Sequence, residues 1–332
     1  MVVIRSLELF VIIPVATVLL GFLLTYEVRK VFARVQCRYG PLVLVHAGLR
    51  RKLGLTRILQ PVYDVLKLLT KETIIPSETG KWWFIVTPLV GLALALTSTF
   101  FVPLAGFSPL GGYSLSLVIL LYLLAGVSLS WVAGAAASSS PWACVGARRE
   151  AEMMMCYEIP IILSCFSAAL LAGSLSITKI VESQVQLPFI LLNPPAATAL
   201  LMGALGKLHL KPFDIPEAEV EVVAGPFTEY SGKLLAVIYL TRVVLNALMA
   251  MLFVDLFLAG GLVTPGTGLV HVLTNVLLFS VLCGLVMFVV ALIHSLMARF
   301  TIYRGITWFV KVAWLMGGLG VLVSILEVGA GW

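Results

Sequence analysis

Residues 270–295 read VHVLTNVLLFSVLCGLVMFVVALIHS, a run without Asp, Glu, Lys or Arg. A helix rises 1.5 Å per residue, so about 20 apolar residues cross the hydrocarbon of a bilayer. This run is long enough. Working outward from it, comparable runs occur at roughly 8–28, 82–103, 113–136, 155–175, 187–207, 234–258 and 306–327. The whole chain agrees, with 332 residues that are 61% hydrophobic and 11% charged, against about 25% charged in soluble domains. The pattern predicts an all-α integral membrane protein, one polytopic domain over 1–332 with about eight transmembrane helices. The first run carries Glu8 near its start, ends on Glu27 and has no small-residue cleavage site. It is expected to be a retained span rather than a signal peptide.

Charge orients the runs, because Lys and Arg stay on the cytoplasmic side of inserted helices. Between Arg29 and Lys81 lie 11 of the 22 basic residues, against Asp64, Glu72 and Glu78. Alternate connections fall on that side: Arg148 and Arg149; Lys207, Lys211 and Lys233; Arg299, Arg304 and Lys311. Arg5 and Lys179 fall on the other. A multi-pass protein of the cell membrane with both termini outside is the expectation. The net charge of +6 then reports topology rather than nucleic-acid binding, which would need a basic soluble face.

The 29–81 segment is too patterned for a plain loop. In Leu59 to Glu72, Val62, Val65, Leu66 and Leu69 recur at helical spacing, with Asp64, Lys67 and Lys71 on the other face. This predicts a cytoplasmic amphipathic helix lying in the interface or against a partner, with a solvated surface helix as the alternative. Gly260-Gly261 and Pro265-Gly266 mark a turn between the sixth and seventh runs. Five cysteines and four histidines are scattered, without Cys-x-x-Cys or His-x-x-x-His spacing. No metal site or bound cofactor is expected in this chain, and the cysteines read as small core residues. No Gly-x-Gly-x-x-Gly or Walker loop is present either.

The acids carry the chemistry. The loop over 208–233 holds five carboxylates, Asp214, Glu217, Glu219, Glu221 and Glu229. Asp214-Ile215-Pro216-Glu217 has the pattern of a capping box, which predicts a short helix starting there with Asp214, Glu217 and Glu221 on one face. Crowded carboxylates cannot all ionise cheaply, so at least one should hold its proton to higher pH. A solvated acidic loop meeting a basic partner is the alternative. Three more acids fall in or beside apolar runs, Glu27, Glu158 and Asp255. Charge at mid-bilayer costs about 2.5–3.5 kcal/mol, so such residues are kept for pairing or for ion movement. Glu158 precedes Ile159-Pro160, and a proline there frees a backbone carbonyl that water or a proton relay can use. Asp255 lies near the outer end of its run, where simply facing water is the alternative.

Pro212-Phe213-Asp214-Ile215-Pro216-Glu217-Ala218-Glu219-Val220-Glu221, followed by Thr228-Glu229-Tyr230-Ser231-Gly232, resembles the signature of the respiratory complex I subunit 1 family, NuoH in bacteria. It also resembles the counterparts in energy-converting membrane-bound nickel–iron hydrogenases. Glu27-Val28-Arg29-Lys30, Arg38-Tyr39-Gly40-Pro41, Leu59 to Glu72 and Tyr157-Glu158 support the resemblance. It implies a heel subunit between a peripheral arm with iron–sulfur clusters, and in some members nickel–iron, and antiporter-like membrane subunits. It further implies that Glu27, Glu158, Asp214, Glu217, Glu219, Glu221 and Glu229 belong to a proton path or coupling site, and that Arg38, Asp64, Lys67 and Lys71 dock the arm.

Quinone-using members resemble Arg-x-Arg-x-Asp-Gln where this chain has Arg299-Phe300-Thr301-Ile302-Tyr303-Arg304-Gly305, and Arg50-Arg51-Lys52 adds an extended basic insertion. These departures favour the hydrogenase-related branch, with electrons ending on protons or a sulfur compound in the arm. The rivals are the quinone-binding subunit of a complex I-like enzyme, an autonomous ion transporter, and a purely structural anchor that would leave the buried acids unexplained.

Overall fold

The computed structural model describes residues 2–38, 40, 58–185, 187–259 and 269–329. Tyr39, Pro41, the Arg50-Arg51-Lys52 insertion and the turn around Gly261 and Pro265 lie outside the described residues. What is described is nearly all helix: α1 (Val2–Val35), α2 (Gln60–Thr70), α3 (Lys81–Ser98), α4 (Ser116–Ala137), α5 (Pro141–Ala172), α6 (Pro194–Lys207), α7 (Gly232–Phe253) and α8 (Leu269–Leu296). The last, α9, runs Ile302–Trp308, passes a π-helical turn at Phe309–Ala313 and ends as Trp314–Gly329.

Seven of these helices are long and apolar enough to cross a membrane among the described residues. The predicted eighth, at 187–207, is instead broken into Phe189–Leu192 and the 14 residues of α6. Pro194 and Pro195 have no N–H to continue a helix, and the Asn193 side chain accepts from Ala196 N at 3.1 Å to start a new one. Asn193 Nδ2 also donates to Ser167 Oγ and to Gly320 O, at 2.8 and 2.7 Å, so the break is stitched to α5 and α9. The helix expected at 155–175 starts earlier, at Pro141 behind Ser140. That extension puts Glu150 inside a helix.

α5 and α7 form the middle of the bundle, with α3 and α4 on one side, α1 and α8 on another, and α6 and α9 against α5. Small residues let backbones meet where lipid provides no hydrophobic drive. A Cβ at Gly21 of α1 would lie 2.2 Å from Val243 O of α7, and one at Gly206 of α6 2.7 Å from Tyr157 Cβ of α5. Two prolines inside helices leave carbonyls that side chains collect. Pro88 frees Phe84 O, which accepts from the Tyr230 hydroxyl at 3.2 Å. Pro160 frees Cys156 O, but it takes the Trp314 indole N–H at 3.0 Å and is not open to a relay.

Candidate functional site

The acidic loop does not fold as a capping box. Residues 211–217 run through turns, and helix appears only at Glu219–Val222. Ile215 is buried in the core, and the Asp214 and Glu217 carboxylates, which would have capped the helix, are taken by cations of other elements. Asp214 accepts from Arg299 Nη2 at 2.5 Å. Glu217 accepts from Arg242 of α7 and lies 2.5 Å from His209 Nδ1. Glu221 pairs with Arg149 of α5 at 2.5 Å on the surface. The carboxylates are thus spread over separate cations rather than crowded on one face. Gly225, at φ +56°, seats this loop, since a Cβ there would meet Pro216 O at 1.9 Å.

From Glu217 a line of polar contacts runs into the bundle. His209 sits between two carboxylates, with Nδ1 facing Glu217 and Nε2 2.9 Å from Glu150 Oε2. Glu150 is fully buried, and its other oxygen accepts from the Tyr157 hydroxyl at 2.9 Å. That hydroxyl lies 2.9 Å from Ser128 Oγ of α4, and Lys207 Nζ donates to the same Oγ at 3.3 Å. Lys207 ends the line on Glu158, at 2.5 Å, and also donates to Leu124 O at 2.9 Å. Glu158, Lys207, Ser128, Tyr157, Glu150, His209, Glu217 and Arg242 therefore form one connected chain from the interior of α5 to the loop. His209 adopts φ +51°, a left-handed backbone that non-glycine residues rarely hold. The Arg242 guanidinium lies over the Phe227 ring, 4.5 Å from its centre, which fixes it from the side.

The charges in the loop are unequal. Burial alone would push His209 down, but the Glu150 and Glu217 carboxylates raise it to about 10, so it carries both protons near neutrality. Burial would push Glu217 up, yet Arg242 and His209 hold it at about 2. Asp214 is different. Burial raises it from the ordinary aspartate value, against the pull of Arg299 and with a further push from Glu217. The loop acid that shifts toward neutrality is Asp214, and Glu217 is a fixed anion.

Other expected residues fall around this line. Glu27 is half buried with its carboxylate beside Gly284 of α8, where a Cβ would come within 3.3 Å of Oε2. Glu229 is half buried near Tyr230, whose ring stacks on Phe84 at 4.2 Å and whose hydroxyl burial pushes up to about 12. Glu219 begins the one-turn helix, and its side chain lies outside the described part. Asp255 does not face water. It is 2% exposed on a π-helical turn that extends α7, Val254–Leu258. Asp64 turns inward to Arg29 of α1 at 2.6 Å, and Arg29 in turn donates to Tyr239 of α7 at 2.7 Å. Lys67, Lys71 and Arg38 are exposed.

Sequence reasoning missed Glu150, His209 and Arg242 as members of the site, and assigned Lys207 to a loop although it is fully buried. A signal existed for two of them. Arg242 is a charge inside an apolar run, and Glu150 precedes Tyr157 by two helical turns.

The family described as NADH dehydrogenase matches residues 7–325. The NuoH subunit of the NADH-quinone oxidoreductase of Geobacillus sp. (strain WCH70) is 37% identical over 232 residues, covering 70% of this chain and 67% of that protein. Its counterpart in Syntrophotalea carbinolica is 36% identical over 239 residues, covering 68% and 69%. Among solved structures, a chain of the membrane-bound sulfane sulfur reductase, an archaeal respiratory membrane complex, superposes with TM-score 0.84 at 23% identity, covering 96% of this chain and 99% of that one. That likeness is one of fold.

Proposed function

The chain belongs to the NADH dehydrogenase family, and from that membership we propose that it is the membrane subunit of an ion-translocating, complex I-like oxidoreductase with no redox centre of its own. Iron–sulfur clusters, and nickel–iron in a hydrogenase-type complex, would sit in a peripheral arm docked near Arg38, Lys67 and Lys71, with antiporter-like subunits beside it in the bilayer. The acidic loop and the 29–81 segment would then face the cytoplasm and both termini the outside of the cell membrane.

The observation that carries this reading is the line of polar contacts from Glu217 to Glu158, joined between His209 and Glu150 by an ion-pair contact of 2.9 Å. Charged groups are expensive inside a bilayer, and a structural anchor would not need them strung in sequence with hydroxyl relays between. Asp214, whose charge feels Glu217 and His209, is the group that takes up a proton when the arm changes state. Its neutralisation frees Arg299, and the altered field at His209 is passed along Glu150, Tyr157 and Ser128 to Lys207 and Glu158. Glutamine keeps the size of Glu158 but cannot titrate. In sealed vesicles Glu158→Gln should leave electron transfer from an artificial donor intact and lower the ions moved per electron. An unchanged ratio would overturn the coupling role.

A hydrogenase-type or sulfur-reducing arm is supported by Tyr303-Arg304 standing where quinone users have Asp-Gln. The quinone reading is supported by the relatives in Geobacillus and Syntrophotalea, both NADH-quinone oxidoreductase subunits. Metal analysis of the co-purifying subunits, together with crosslinking by a quinone analogue, separates the two: a quinone adduct on this chain would sink the first.

A further inference from the structure

The first turns of α9 carry an open groove of about 350 Å³ whose walls are almost wholly apolar. Phe300, Trp308 and Val312 line it, together with Tyr303, Arg304, Thr307 and Lys311. Arg304 and Lys311 are seven residues apart, two helical turns, and so rise from one face. Both are exposed, and no ion pair joins either to a carboxylate among the described residues. The groove lies at the bundle end that bears the acidic loop, because Phe300 N donates to Pro212 O at 3.0 Å and Phe213 packs edge-on against Phe300.

An apolar trough beneath two unneutralised cations matches a molecule that is greasy along its length and anionic at one end. We propose that the groove holds an anionic phospholipid of the adjacent leaflet, with an acyl chain over Phe300, Trp308 and Val312 and the phosphate between Arg304 and Lys311. A carboxylate-bearing protein partner would satisfy the cations but leave the trough empty. A neutral amphiphile would fill the trough but leave two cations unpaired at the edge of hydrocarbon, where each Lys or Arg draws anionic lipid by about a factor of five. Tyr303, 77% exposed, adds an amphipathic ring of the kind enriched at membrane–water interfaces.

The test places a photoreactive benzoylphenylalanine at Thr307, inside the groove, in the whole complex reconstituted into vesicles of equal parts phosphatidylglycerol and phosphatidylcholine. Phosphatidylglycerol adducts should exceed phosphatidylcholine adducts by about twenty-fivefold. Arg304→Gln with Lys311→Gln should erase that preference, while Arg304→Lys with Lys311→Arg should keep it. Equal labelling of the two lipids, a preference that survives loss of both cations, or adducts chiefly to a protein subunit or a quinone would each overturn the proposal. The result is read independently of ion pumping, so it stands or falls apart from the coupling role of Glu158.

Discussion

Lys207 is a fully buried ammonium whose charge is answered by Glu158 alone among the described residues. Removing one partner of such a pair strands the other, at a cost of about 3–5 kcal/mol. Lys207→Met should therefore lower the thermal stability of the complex sharply, and Lys207→Met with Glu158→Leu should recover most of the loss, as differential scanning fluorimetry would show. His209 makes a pH prediction whose sign follows from its two carboxylates. Its proton is held to about 10 in the fold against 6.5 in the open chain. The stabilisation is complete below about 6.5 and is lost as pH climbs through 10. Melting temperature should fall over that interval, and His209→Gln should flatten the fall. Glu158 and Glu217 were legible as unusual acids because their setting in the sequence is apolar or crowded. Their partners were not, since Lys207 and Arg242 are distant in sequence and only the packing of α5, α6 and α7 decides which cation reaches which acid.

At the scale of elements, the helices were legible wherever hydrophobic length alone determines them, as in α4, α7 and α8. The misread elements are those in which side chains outbid the local pattern. The Asp-Ile-Pro-Glu stretch has a helix start written into it, yet Arg299 and the His209–Arg242 pair claim its two carboxylates and hold it in turns. The 187–207 run is apolar throughout, and two prolines still break it. Helix α2 formed where its periodicity placed it, but Asp64 belongs to the bundle side through Arg29. That leaves Lys67 and Lys71, beside Arg38, as exposed cations available to an arm. Lys67→Glu with Lys71→Glu should loosen the peripheral subunits, seen as their loss on size-exclusion chromatography, while this subunit stays inserted. Each exposed charge contributes only about 0–1 kcal/mol, which is why both are changed. A complex that remains whole and active would remove these lysines from the docking role.

For the whole molecule, the orientation inferred from basic residues can be read with thiols. In a background with Cys37 and Cys144, the two exposed cysteines, replaced by serine, Lys179→Cys should react with an impermeant maleimide added to intact cells. Lys71→Cys should react only after the membrane is opened, and the reverse pattern would invert the bundle and the docking argument with it. One consequence of the architecture bears on how such a molecule could switch. Glu150 and Glu158 stand on one unbroken helix, eight residues or about 12 Å apart along its axis. Their separation is set like marks on a ruler. His209 and Glu217 stand on irregular chain, one of them in a left-handed conformation. The bundle half of the line is thus spaced by one helix and the loop half by irregular chain, and the two halves meet at the His209 imidazole.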